Sequence, residues 1–197
     1  MLLQDIPQKF RTLLTPGKIG QILCLGNLTS PTIYTWLRSL APDLQLVRGD
    51  FDVSSSLSEG QPNAAQLPLS KVVQHGSLRI GFTHGHTILP PGDADSLLIA
   101  ARQMDVDVLL WGGTCKFEAY EMEGKFFVNP GSATGAVQWG WDDEEAEGGG
   151  TGVPSFVLMD VQGDVLVLYV YQLKRDQSGV EQVGVEKVSF RKGGAAA

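Results

Sequence analysis

The sequence predicts an α/β protein of two sheets packed face to face, with helices covering the outer face of at least the first sheet. Three observations carry that expectation. Up to Trp111, short apolar runs alternate with amphipathic ones, which is the pattern of a mostly parallel sheet with helices laid on it. Beyond Trp111 strand-like runs predominate and no clear helix recurs. Four polar motifs, far apart in the chain, each lie just past the C-terminal end of a predicted strand.

The elements follow in order. Residues 21–25, Gln-Ile-Leu-Cys-Leu, read as a short buried strand. Ser30 and Pro31 then supply an N-cap and a first-turn proline for a helix reaching to about Leu40, since a serine oxygen accepts from the orphan amides and proline has no amide to lose. Residues 45–48 are a second strand. Residues 71–75 and 78–83 are two more, joined as a hairpin by Gly76-Ser77. Residues 93–104 are amphipathic, with Leu97, Leu98 and Ala101 at helical spacing and Asp93 placed to cap. Residues 106–111 return to strand, and 118–122 with 125–128 form a hairpin about Glu123-Gly124. The last three strands are expected over 155–160, 165–173 and 180–190, separated by Gln162-Gly163 and Gln177-Ser178-Gly179. No linker divides two self-sufficient cores, so residues 1–192 are read as one domain and 193–197 as a disordered tail.

Composition excludes several function classes. The chain has 197 residues, 43% of them apolar, enough for one well-buried core. Fifteen Lys and Arg against twenty-two Asp and Glu give a net charge of −7, which argues against a general nucleic-acid binder or a polybasic membrane binder. Asp142, Asp143, Glu144, Glu145 and Glu147 carry most of that excess. They lie in an acidic, Gly-rich stretch over about 139–152 that reads as a disordered surface loop; residues 54–68 read as a second polar loop. Trp139 and Trp141 flank the acidic loop, either as packing residues or as part of a contact surface. No apolar run approaches a membrane helix of about twenty residues, and Met1-Leu2-Leu3 runs straight into Gln4-Asp5, unlike a signal peptide. Two cysteines make no disulfide framework and point to a reducing compartment. Three histidines leave little room for a mechanism that needs many imidazoles.

The four polar motifs are Gly26-Asn27, Gly49-Asp50-Phe51-Asp52, His84-Gly85-His86 and Gly112-Gly113-Thr114-Cys115. Ligands in open α/β sheets sit at the C-terminal strand edge, where such motifs converge. Asn oxygen, Asp carboxylate, His nitrogen and Cys sulfur are all metal donors, so Asn27, Asp50, His84, His86 and Cys115 are the candidate metal residues. Simpler readings of the same residues stand beside this one. His84 and His86 can hydrogen-bond neighbouring loops, Cys24 can be a core thiol, and His75 can be a surface residue at a strand end.

This constellation resembles the calcineurin-like metallophosphoesterase superfamily, whose motifs run Asp-x-His, Gly-Asp, Gly-Asn-His-Asp/Glu, Gly-His and Gly-His-x-His. Within it the sequence is similar to one family, the small phosphoesterase-like subunits of retromer. The runs that carry the likeness are Pro16-Gly17-Lys18-Ile19, Cys24-Leu25-Gly26-Asn27-Leu28, Val47-Arg48-Gly49-Asp50-Phe51-Asp52, His84-Gly85-His86, Asn129-Pro130-Gly131-Ser132-Ala133-Thr134-Gly135-Ala136 and Pro154-Ser155-Phe156-Val157-Leu158-Met159-Asp160. The resemblance implies a two-sheet αββα sandwich, here without its first strand. That family begins with a strand ending in Gly-Asp-Leu-His, whereas Met1 is followed almost at once by Asp5-Ile6-Pro7-Gln8-Lys9-Phe10, a segment that belongs after it. A truncated chain start and a fold rearranged around residues 1–5 are both open.

The departures from the pattern bear on activity. The last motif reads Gly112-Gly113-Thr114-Cys115, the third lacks the catalytic histidine, and Asn27 stands where a bridging aspartate is usual. Two-metal phosphoryl chemistry needs both ions about 3.5–4 Å apart and fully ligated, so a degenerate, vestigial site and no cofactor are expected. Zinc held partly by Cys115 is the remaining metal reading. The resemblance implies a non-catalytic scaffold on the cytosolic face of endosomes, within the retromer complex that retrieves cargo to the Golgi or plasma membrane. Its expected partners are the large α-solenoid subunit, through Ile88, Leu89 and Pro90, and an arrestin-like subunit in the same complex. Regulators are expected on a hydrophobic patch matching Leu13, Leu14, Tyr169, Tyr171 and Val180. The alternatives are a metal-dependent phosphoesterase with a reduced metal site and a stand-alone regulatory module.

Overall fold

The structure, a computed structural model, describes residues 6–52, 66–136, 152–175 and 179–194. The acidic stretch 142–147 with Trp139 and Trp141, most of the loop 54–68, and the end of the tail lie outside the described residues. Ten strands and three helices are described: α1 Gln8–Leu13, β1 Gln21–Cys24, α2 Pro31–Leu40, β2 Asp43–Leu46, β3 Ser70–His75, β4 Leu78–Thr83, α3 Ala94–Gln103, β5 Val108–Leu110, β6 Phe117–Met122, β7 Lys125–Pro130, β8 Ser155–Gln162, β9 Val165–Arg175 and β10 Glu181–Arg191.

The first layer is a five-stranded sheet in the order β3-β4-β5-β7-β6. Its three central strands are parallel and its two edges antiparallel. Both hairpins expected within it form. At the second of them Glu123 and Gly124 both have positive φ, 51° and 69°, the conformation that suits a two-residue turn to the strand twist. Opposite lies a second layer in two pieces, a parallel pair β1-β2 and an antiparallel sheet β10-β9-β8.

The core fills the space between the layers. Leu78, Ile80 and Phe82 of β4, Val108 and Leu110 of β5, and Phe126 and Val128 of β7 meet Val47, Leu166, Leu168, Val170 and Phe190. Phe126 and Phe190 stack at 5.1 Å, joining the layers through an aromatic pair. On the far side of the five-stranded sheet α3 lays Leu97, Leu98 and Ala101 against Leu109, Trp111 and Phe127. On the far side of the second layer α1 and α2 pack Phe10 and Ile33 against Leu173, Phe156, Tyr171 and Val183. The order is helix, sheet, sheet, helix, as the resemblance implies.

Both predicted caps form: the Ser30 side chain accepts from the Ile33 amide at 3.4 Å and the Asp93 carboxylate from the Ser96 amide at 2.8 Å. Helix α1 was not expected, and two further details differ from the sequence reading. The second strand spans Asp43–Leu46, two residues earlier than expected, because its register is set by β1: Gln21 opposes Asp43 and Cys24 opposes Leu46. His75 is no simple surface group; it hydrogen-bonds Gln21 Oε1 at 2.8 Å. Gln21 donates on to Asp43 and so does Gln45, while Lys71 bonds Gln45 at 3.0 Å. That polar network ties the β1-β2 pair to β3.

Candidate functional site

All four polar motifs meet at one edge of the fold. Asn27 follows β1, Asp50 and Asp52 follow β2, His84 follows β4, and Cys115 lies in the turn after β5. The approach of the first two loops is set by glycine. A side chain on Gly26 would begin 2.6 Å from the Gly49 amide, and one on Gly49 would begin 2.0 Å from Asn27 Oδ1. Only glycine lets the backbones come this near. Asn27 and Cys115 adopt left-handed backbone, with φ 56° and 58°, a region that asparagine tolerates better than most residues.

Hydrogen bonds then knit the edge together. The Asn27 side-chain Nδ2 donates to Asp50 Oδ1 at 2.9 Å and lies 2.9 Å from His84 Nε2. Its Oδ1 accepts from the Phe51 amide at 2.9 Å. Asp52 is buried and takes the amides of Asn27 and Gly49 on a single carboxylate oxygen, each at 2.8 Å. His86 Nδ1 lies 3.2 Å from His84 Nδ1. Burial pushes the His84 pKa below its ordinary value and prevails over Asp50, which acts in the other direction. Burial acts to raise Asp50, yet the Asn27 hydrogen bond and nearby His84 leave its carboxyl below the usual range. Burial and then Asp50 raise the Cys115 thiol, which disfavours the thiolate a metal would need.

The structure therefore brings Asn27, Asp50, His84 and His86 together. Cys115 turns instead toward the Gly113 carbonyl, 3.8 Å away. The residue that sequence reasoning missed is Asp52, whose buried carboxylate organises two loops; the spacing Gly49-Asp50-Phe51-Asp52 offered no way to tell its role from that of Asp50.

Two apolar surfaces accompany this edge. Beyond His86 the chain turns through Ile88, Leu89 and Pro90, held by the Ile88 amide on the Gly85 carbonyl at 3.0 Å, the Asp93 amide on the Pro90 carbonyl at 3.2 Å and Ser96 Oγ on the Leu89 carbonyl at 2.9 Å. Ile88 packs against the α3 cluster, whereas Leu89 is 72% exposed. The second surface is an open depression of about 370 Å³ lined by Lys9, Thr12, Leu13, Tyr171, Val183 and Val185. Leu13 and Tyr171 of the expected patch line it. Leu14 caps α1, Tyr169 lies two residues along β9 under Lys187, and Val180 stands exposed just before β10. Val183 and Val185 were not singled out from sequence. Their alternation along β10, opposite Leu173 and Tyr171, is the signal that could have found them.

A two-layered α/β sandwich with these motifs at one strand edge defines a class, and the chain belongs to it: the calcineurin-like phosphoesterase superfamily domain matches residues 4–164. Within that class it is a member of the vacuolar protein sorting-associated protein 29 family. It is 50% identical to that protein of Schizosaccharomyces pombe over 189 residues, 95% of this chain and 90% of the relative. The crystal structure of Chaetomium thermophilum Vps29 superimposes with a TM-score of 0.82 at 52% identity, covering 95% of this chain and 89% of that one. The same protein complexed with the cyclic peptide RT-D3 superimposes with a TM-score of 0.77, at the same identity and coverage.

The superfamily implies divalent metal ions at this edge, where Asn27, Asp50, His84 and His86 are the residues brought together. Among the described residues no group of three or more His, Cys, Asp and Glu side chains is placed to hold a metal ion. In this arrangement the Asn27 group that faces Asp50 and His84 is its NH2, while its oxygen meets the Phe51 amide.

Proposed function

We propose that this chain is the non-catalytic small subunit of retromer, acting on the cytosolic face of endosomes in cargo retrieval to the Golgi or plasma membrane. The relatives named for vacuolar protein sorting support that assignment. In this reading the metal edge is vestigial, carries no cofactor and serves as a platform. The loop bearing Ile88, Leu89 and Pro90 docks the large α-solenoid subunit, and the arrestin-like subunit joins the same complex. Regulators occupy the depression between α1 and β10, with Leu14, Tyr169 and Val180 on its surroundings; the complex of a relative with a cyclic peptide is consistent with a peptide-binding surface in the family. No nucleic acid and no membrane insertion are involved; among the described residues no helix is long and apolar enough to cross a membrane.

The observation that carries the docking role is Leu89, 72% exposed on a loop whose backbone is pinned at three points. An apolar side chain presented on an ordered support, next to an Ile88 packed against the α3 cluster, has the form of an interface anchor. Leu89→Asp is expected to weaken binding of the solenoid subunit by about a hundredfold or more in calorimetry, while the cooperative thermal transition survives. Unchanged affinity removes this loop from the interface. Phosphatase assays of the wild type beside Asp50→Asn and His84→Ala address catalysis: turnover present in the first and absent in both variants would establish the metal-dependent phosphoesterase instead.

A further inference from the structure

We propose that Phe51 is a second anchor of the docking edge, so that the solenoid subunit is held by two separate apolar side chains, Phe51 and Leu89, each entering a recess of its surface. The inference rests on the docking role of the Leu89 loop. Among the described residues Leu89 and Phe51 are the two most exposed large apolar side chains, at 72% and 63%. Both stand on loops that leave strand ends at the same edge, Phe51 after β2 and Leu89 after β4. A short run of contacts links them. Phe51 follows Asp50, whose Oδ1 lies 3.6 Å from His84 Nε2, and the Gly85 carbonyl accepts from the amide of Ile88, next to Leu89.

A single exposed apolar residue needs no explanation, but an exposed aromatic ring on a fixed backbone does. The turn bearing Phe51 is fixed from both sides. Asp52, the residue after it, is buried and accepts the amides of Asn27 and Gly49, each at 2.8 Å. The Arg48 amide donates to the Pro68 carbonyl at 2.9 Å, which ties the same turn to the segment entering β3. None of these bonds uses the Asp50 or His84 side chain, so the presentation of Phe51 is separate from any ion held there. A ring carried on such a support has little backbone freedom left to lose on binding, which is what an anchor requires. A solenoid surface suits two anchors. It is built of stacked helix pairs, and packed helices lie about 8–10 Å apart, so grooves recur along it and two of them can each take one side chain.

The test is calorimetric titration of the solenoid subunit into the wild type, Phe51→Ala and Leu89→Ala, each with a thermal melt. Phe51→Ala is expected to raise Kd at least about tenfold, while its melt stays within about 2 °C of the wild type. Unchanged affinity in Phe51→Ala beside weakened binding in Leu89→Ala overturns this inference and leaves solenoid docking standing. Unchanged affinity in both takes the docking role of the Leu89 loop down as well. A Phe51→Ala melt many degrees lower makes the ring a packing residue of its own fold, and that also overturns the proposal. Fluorescence of Phe51→Trp gives a second readout. The emission it adds to that of the wild type is expected to move to shorter wavelength when the solenoid subunit is added, because the ring leaves water; emission that stays at the wavelength of a solvated indole overturns the proposal.

Discussion

His84 is pulled two ways, and the balance fixes how the protein responds to acid. Its pKa is lowered from 6.5 by burial, with Asp50 opposing. A histidine that protonates less readily when folded leaves the unfolded chain binding more protons, so stability rises with pH across that interval. The contribution of neutral His84 is fully present above 6.5 and is lost as the pH falls through that value toward the folded one. Urea denaturation of the wild type is therefore expected to give a free energy that declines as the pH falls below 6.5. His84→Gln, which cannot titrate, should show a flatter profile over the same window; equal slopes would assign the effect to another group. The lowered carboxyl of Asp50 acts in the same direction but only in more acidic solution, so the two are separable. None of this was legible from the spacing of His84-Gly85-His86, because the direction of the shift comes from burial, against the pull of a partner 34 residues away.

Helices α2 and α3 were legible because each announces its start with a capping side chain, Ser30 and Asp93, before a run of apolar residues at helical spacing. The short α1 was not. It has six residues, Pro7 at its N-cap and no side-chain cap bond, and a peptide of that length has no helical stability of its own. Tertiary contact makes it helical: Phe10 is 0% exposed and meets the Phe156 ring edge-on at 4.7 Å, while Phe156 stacks on Tyr171. One turn further on, Leu13 is 48% exposed, at the rim of the apolar depression. A sharp contrast follows between the buried and the exposed apolar residue of this helix. Phe10→Ala is expected to cost about 3–5 kcal/mol in urea denaturation, and Leu13→Ala within about 0.5 kcal/mol. Comparable losses from both would mean that Phe10 is not the anchor of α1.

At the level of the whole molecule, layer order and the meeting of four motifs at one edge could be read from the chain, because both follow from where strands end. The contacts across that edge could not. The grip of Asp52 on two amides and the orientation of the Asn27 amide exist only once loops from β1 and β2 approach within glycine distance. One further property of the second layer concerns communication between the two faces. Strands β1 and β8 are each the end of their own sheet, and among the described residues no backbone hydrogen bond joins them. The end of β1 carries the Asn27 edge, while α1, β9 and β10 line the apolar depression, so among the described residues no shared sheet joins the two. Linkage between two sites needs an element with two arrangements that both occupants bias, and the close-packed core between the layers is a poor one. Filling the depression should therefore change affinity at the Leu89 loop by less than about twofold, measured by titrating one occupant at saturation of the other. Cooperativity beyond that would require the halves of the layer to move together; without it, the two apolar surfaces respond independently of one another.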